Sequence, residues 1–303
     1  MFESCGSMRD SFFEMVRERY SIFLKRKQGL PPPWTDNPIF RQNRFCNVFR
    51  EDDRVTDWFR TNMRNNRSFS GSSASILMTT IAFRWFNKIE IGGVLTDSAI
   101  GLQNGKFNSD EARKRISFAY PNGPFVTGAY IVKTPNGMKK LDGVLWCIDQ
   151  VQEQAEDTAD AILQCGSLEK AWEILRQFPF LGDFMSYEVV TDLRHTRLLQ
   201  GASDVLSWAN PGPGAARGAA RILYGNPEAL SRTSKTDRVQ IASEMQTLLL
   251  LSKDKAYWPH DRAWEAREAE HGLCEFDKMW RVTQGGRMKQ RFNDMERGAF
   301  LTK

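Results

Sequence analysis

Histidine and cysteine are scarce in this 303-residue chain, with three of the one and five of the other. The cysteines (Cys5, Cys46, Cys147, Cys165, Cys274) are odd in number and contain no C-x-x-C pair. That spacing argues against a disulfide framework, a zinc ribbon and a four-cysteine iron–sulfur loop, and reduced thiols are the expectation. The histidines are His195, His260 and His271; His271 stands near Cys274, but no second such pair completes a tetrahedral structural metal site. Nowhere do about 18 uncharged apolar residues run together, which excludes a membrane-spanning helix. The opening residues MFESCGSMRD lack a basic segment followed by an apolar one, so no secretory signal and a cytoplasmic location are expected. Nothing repeats at a period of roughly 20 to 50 residues, which leaves solenoid architectures unsupported.

What the chain does have is unevenly placed positive charge. Lys and Arg number 42 against 37 Asp and Glu, a net charge of +5. Arg41, Arg44, Arg50, Arg54, Arg60, Arg64 and Arg67 crowd one stretch, and the end of the chain carries Lys278, Arg281, Arg287, Lys289, Arg291, Arg297 and Lys303. Such patches suit a polyanion, and the planar guanidinium suits bidentate phosphate contact. A solvated helix face is the competing reading of each run.

The apolar pattern is that of helices. Phe12, Phe13, Val16, Tyr20 and Phe23 predict an opening helix that ends before the Pro31-Pro32-Pro33 brake. Residues 1–35 therefore form an N-terminal helix and linker, and 36–303 the main domain. Between residues 39 and 63 an apolar stripe interleaves with arginines, as in an amphipathic helix pair. Helices follow through Ile76–Phe86, from Ser109, over Val144–Leu163 and from Ser167. One β-hairpin, at about 125–140, is predicted from the β-formers of Phe125–Lys133 and the turn Pro135-Asn136-Gly137.

Four segments carry candidate chemistry. Phe178–Tyr187, within 167–194, reads as a helix-hairpin-helix, in which amides at the second helix N-terminus near Gly182 face a DNA phosphate. Phe180 stands at the first hairpin glycine position, and Asp183 where a phosphate would dock. A plain helix–loop–helix turn is the alternative. Asp204 follows Gly182 by 22 positions, a spacing that resembles the catalytic aspartate of helix-hairpin-helix DNA glycosylases; its alternative is a helix cap. Gly212-Pro213-Gly214-Ala215-Ala216-Arg217-Gly218 lacks the lysine–threonine pair of a P-loop, yet a glycine-rich helix entry presents amides and Arg217 to phosphate. The last segment, Glu270-His271-Gly272-Leu273-Cys274-Glu275-Phe276-Asp277-Lys278, alternates carboxylates and cations around apolar anchors. If helical, it places an acid/base or cation-binding cluster on one face, with surface ion pairing as the competing account.

Taken in order, five blocks resemble one family: the α-glutamyl/putrescinyl thymine pyrophosphorylases of bacteriophage DNA hypermodification, related to the helical domain of phage 5-hydroxymethyluracil DNA kinases. The blocks are Asn43–Val55, Arg84–Glu90, Phe178–Asp192, Gly212–Gly218 and Leu273–Lys278, within a likeness from about Phe40 to Phe292. The resemblance implies a mainly α, DNA glycosylase-like helical fold acting on double-stranded DNA that carries modified thymine. Its substrate would be 5-pyrophosphoryloxymethyluracil, made by a separate kinase upstream. An amine, such as an amino acid or putrescine, would replace the pyrophosphate, and no N-glycosidic bond would be cut.

Such chemistry makes demands that named residues meet. Departing pyrophosphate needs cations or oriented amides, for which Arg44, Arg50, Arg54, Arg217 and Lys278 are candidates, with Mg2+ as a candidate cofactor. The incoming amine must lose a proton to a carboxylate, and Asp53, Asp204, Glu275 and Asp277 are the contenders. Asn47, with Phe45 and Phe49, would hold the extruded base, and Gly182, Gly212 and Gly214 would face DNA. Attack by Cys46 or Cys274 on the pyrimidine is a separate route. A glycosylase using Asp204, or a non-catalytic DNA-binding subunit, are the competing functions.

Overall fold

The computed structural model describes residues 7–286 and is mainly helical. The chain begins with α1 (Met8–Lys27) and α2 (Pro38–Gln42). It continues through α3 (Arg54–Phe59), α4 (Ser73–Phe86), α5 (Ile89–Leu95) and α6 (Ser109–Ala119). Next come α7 (Lys140–Gln152), α8 (Ala155–Cys165), α9 (Leu168–Leu175) and α10 (Asp183–Leu193). Last are α11 (Pro213–Tyr224), α12 (Lys235–Leu251) and α13 (Ala266–Thr283). Among the described residues no helix is long and apolar enough to cross a membrane. Two compact units divide the chain, Met1–Asp53 with Leu206–Lys303 as the first and Arg54–Val205 as the second. The basic segment expected from Arg287 onward lies outside the described residues.

In the first unit, α1 opens on a capping box in which the Ser7 amide donates to Asp10 and the Asp10 amide to Ser7 Oγ. Its buried Phe12 and Phe13 meet Trp264, and Phe12 also meets Phe276 of α13 edge-on, so α1, set apart as an N-terminal element on sequence grounds, is part of this unit's core. Arg9 clamps the buried Glu244 of α12 through Nε and Nη2 at 2.9 and 2.7 Å.

The closest helix contact in this unit is between α11 and α13, and glycine permits it. A Cβ on Gly218 would lie 2.2 Å from the Leu273 carbonyl oxygen, and one on Gly214 2.5 Å from Cys274 Sγ. Gly272 leaves room in the same way for the Phe12 ring on the α1 side. The backbones therefore approach as no larger residue would allow.

In the second unit, α4 is buried at every position from Ala74 to Phe86, as a helix apolar all round must be. Its one buried cation, Arg84, meets the fully buried Asp192 of α10: Nε pairs with Oδ2 and Nη2 donates to Oδ1 at 2.9 Å. Arg64, placed by the π-helical turn Arg60–Arg64 that follows α3, reaches the same carboxylate at 3.5 Å. Arg84 and Asp192 belong to two of the sequence blocks, and what they do together is hold this core.

The hairpin expected at 125–140 is not formed, and no β-strand occurs among the described residues. Other groups take the hydrogen bonds that a partner strand would supply. The Thr127 amide donates to the Phe86 carbonyl at 2.8 Å, and the Val132 carbonyl accepts from Lys140 Nζ at 2.8 Å. The segment expected to return as a strand, residues 138–140, is a bend that leads into α7 at Lys140 instead. The predicted helix Val144–Leu163 is two, α7 and α8, separated at Glu153–Gln154. The helix–turn–helix of α9 and α10 is present, and Phe180 takes φ +63°, the left-handed conformation that the sequence reading assigns to a glycine.

Replacing Gly218 with alanine forces α11 away from α13, and the expected cost is about 1–3 kcal/mol in denaturant unfolding. Gly212→Ala, where the nearest atom to a Cβ is 3.8 Å away, is expected to cost much less. Equal losses at the two positions would show that the close helix contact does not limit stability.

Candidate functional site

The segment read as a helix pair, residues 39–63, is helical only at its ends. From Asn43 to Phe49 the backbone is irregular, and a single 3-10 turn, Arg50–Asp52, precedes Asp53. Because these amides have no helical acceptor, they bind side chains. The Cys46 amide donates to Glu275 Oε2 at 3.0 Å, and the next amide, of Asn47, donates to Asp53 Oδ1 at 3.1 Å. Two consecutive N–H groups thus hold two carboxylates that are 222 residues apart in the chain. The Cys46 carbonyl is held as well, by Arg19 Nη2 of α1 at 3.1 Å, which also donates to the Phe45 carbonyl.

Helix α13 supplies the opposite wall. Lys278, one turn beyond Glu275, pairs with its Oε1 and lies 5.6 Å from the centre of the Phe45 ring. Donor atoms of Cys46, Asp53 and His271 all lie within 4.8 Å of one another.

Charge in this cluster is tuned by burial and by neighbours. Burial pushes the Asp53 carboxyl up to about 6; the Asn47 amide opposes this and the negative Glu275 adds to it. Burial acts on Glu275 too, but Lys278, His271 and the Cys46 amide together outweigh it and leave its pKa below the ordinary carboxylate range. Burial, with Arg267 adding, drives His271 down to about 3, so the imidazole is neutral at pH 7. The Cys46 thiol is raised well above its usual value by burial and then by Glu275 and Asp53, and Cys274 is raised to about 12. Both thiols hold their protons at neutral pH, which disfavours either as an unassisted thiolate nucleophile.

The other expected site residues fall in several places. Asp277 is fully buried and accepts from Nε of Arg217, Arg221 and Arg281, each at 3.0 Å. Both it and Arg217 are therefore committed to joining α11 to α13. Arg50 is buried and close enough to act on Asp53 and His271, whereas Arg44 is exposed. The Asn47 side chain donates to the Asp52 carbonyl at 2.7 Å, a bond that closes the loop. The Gly212 amide at the head of α11 donates to Glu270 Oε1 at 3.3 Å, and Gly214 serves packing.

Three expected residues belong to the second unit. Arg54 is exposed at the start of α3. Gly182 is the N-cap of α10. Asp204 accepts from the Leu168 and Glu169 amides at 2.7 and 3.0 Å and from Ser167 Oγ at 2.7 Å, and so caps α9 from a distance.

The description "5-hmdU DNA kinase, helical domain" matches residues 6–288, nearly the whole chain. The chain belongs to this family of helical domains. The matched range extends over most of both compact units and takes in all five blocks. One relative, the 5-hmdU DNA kinase of Bacillus phage SP10, is 27% identical over 300 residues, covering 91% of this chain and 45% of its own length. The chain thus spans less than half of the relative it matches. No solved structure matches it.

Sequence reasoning passed over Arg19, Arg221 and His271 as site residues of this helical domain. Arg19 did leave a signal: it falls on the apolar stripe of α1, at the spacing of Phe12, Val16 and Phe23, where a cation needs a buried partner. His271 stood out only as a neighbour of Cys274 and a member of the Glu270–Lys278 segment; its contact with Cys46 and Asp53, more than 200 residues away, left no local signal.

Asp277→Asn leaves the buried Arg221 and its two neighbours without their counter-charge. The expected loss is about 3–5 kcal/mol of stability, read from chemical denaturation. A change under about 1 kcal/mol would mean that the arginines find solvent or other partners.

Proposed function

We propose that this helical domain is a DNA base-hypermodifying transferase, which replaces the pyrophosphate of 5-pyrophosphoryloxymethyluracil in double-stranded DNA with an amine. The observation that carries the reading is the pair of carboxylates, Asp53 and Glu275, held side by side by the Cys46 and Asn47 amides. Three of the five blocks that resemble the thymine pyrophosphorylases, those around Asn43–Asp53, Gly212–Gly218 and Leu273–Lys278, belong to this one unit. The relative is named for a kinase acting on 5-hmdU DNA, and phosphorylation of a 5-hydroxymethyl group is the class of reaction that would supply such a substrate.

The chemistry needs an acceptor for the amine proton and cations for the leaving pyrophosphate. The Asp53–Glu275 pair meets the first need, and Asp53, pushed up toward neutral pH, is the better matched of the two. Lys278 and Arg50 meet the second from the same cluster, with Arg44 at its exposed margin. The donor would be a small amine, an amino acid or a polyamine. Phosphoryl transfer is not carried over from the relative. No lysine–threonine pair follows Gly212–Gly218, and the amide at the head of that helix is already bound to Glu270.

Duplex DNA carrying the pyrophosphorylated base, incubated with candidate amines, digested to nucleosides and weighed, tests the reading. A nucleoside heavier by the amine is expected. Asp53→Asn and Glu275→Gln should each slow its formation by about 100-fold or more while DNA binding persists. Asp204→Asn should leave the rate unchanged and cost about 1 kcal/mol of stability as a weakened cap. Unmodified nucleosides with every amine, or abasic sites that depend on Asp204, would overturn the proposal.

A further inference from the structure

The cluster of Cys46, Asp53 and His271 is unlike the other charged groups of the first unit, because it joins three metal-ligating side chains of different chemistry. Their donor atoms lie within 4.8 Å of one another. A tetrahedral ion with ordinary zinc–ligand bonds holds such donors roughly 3.3–3.6 Å apart, so small torsions of Cys46 and Asp53 suffice to close on one. A second observation concerns the histidine itself. Its Nε2 is buried and has no hydrogen-bond partner, an unmet polar atom of the kind that marks an unfilled site.

The backbone around the cluster is already fixed. Cys46 is gripped at its amide by Glu275 and at its carbonyl by Arg19. Asp53 has Oδ1 on the Asn47 amide, which leaves its second oxygen for an ion. These bonds hold the ligands from behind, as metal sites require.

We propose that Cys46, Asp53 and His271 form a binding site for a zinc-class transition-metal ion. Sulfur, nitrogen and oxygen in one set select zinc or its neighbours over magnesium, which takes oxygen ligands. Three protein ligands leave a fourth position open to water or to a substrate oxygen, the pattern of reactive rather than structural sites. On binding, the Cys46 S–H bond breaks, a sulfur–metal bond forms and the proton leaves to solvent. The thiolate and the Asp53 carboxylate then balance the 2+ ion, with a neutral imidazole as third ligand. A metal-bound Asp53 no longer serves as a base, so in the loaded site the proton-accepting role that the transfer reading gives first to Asp53 passes to Glu275.

The test uses the full, untagged chain, stripped with a chelator and titrated with Co2+ and with Zn2+. One equivalent of Co2+ is expected, with the visible bands of a four-coordinate ion and a sulfur-to-cobalt charge-transfer band. Cys46→Ser should remove the charge-transfer band, and Cys274→Ser should keep it. On the unaltered chain, Zn2+ should protect Cys46 from alkylation, as read by peptide mapping, so the result does not hang on a variant's folding. No stoichiometric uptake, a charge-transfer band that survives Cys46→Ser, or equal alkylation of Cys46 with and without Zn2+ would overturn the site. None of these measurements involves DNA, so failure here and failure of the transfer reading are separate results.

Discussion

The contact of α11 with α13 is the constraint on which the first unit depends. Glycine at 214 and 218 lets the two backbones meet, and Asp277 then draws Arg217, Arg221 and Arg281 onto one carboxylate. A buried carboxylate with three guanidinium partners is costly to break, because Asp277 and Arg221 would be left charged and dry, while Arg217 and Arg281 reach solvent. The helix so fixed is the one that carries Glu270, His271, Glu275 and Lys278, all within two turns of Asp277.

The second unit solves its own assembly by the same means. There Asp192 is fully buried and receives Arg84 and Arg64, and Arg84 also bonds Thr56 and Asn87. One aspartate with several arginines therefore closes each unit's core. This explains why arginines crowd the sequence between positions 41 and 67: Arg50 and Arg64 are buried, while Arg44, Arg54 and Arg67 lie at the surface. The run that reads as one polyanion-binding patch is thus partly interior.

Around Cys46 the balance is different. Two carboxylates, two protonated thiols and a neutral imidazole share a half-buried space, with Lys278 paired to Glu275 and Arg50 nearby. Carboxylates held in such a place are poised for proton transfer or for a cation, and both uses follow from the same two amide bonds. The loop earns this role by not being helical, since the Cys46 and Asn47 amides are on offer only because no helix consumes them.

Much of the helical framework was legible in the residues. The stripe Phe12–Phe23, the cap at Ser167 and the apolar run at Ile76–Phe86 each mark a helix by period and end signals that local physics enforces. The blocks around Asn43, Gly212 and Leu273 held Cys46, Asp53, Arg217, Glu275 and Lys278; the structure gathers four of these into one cluster and gives Arg217 to Asp277, and nothing in the sequence indicated which would touch. Three things were decided only in the tertiary structure. Residues 125–140 did not pair as strands, because other backbone and side-chain groups took their hydrogen bonds. Asp277 and Arg217 became a structural pair and Asp204 a helix cap, since a carboxylate's role is set by what surrounds it and not by its spacing. His271 came to stand beside Cys46 and Asp53 through the packing of α13, a long-range contact for which a local sequence pattern carries no signal.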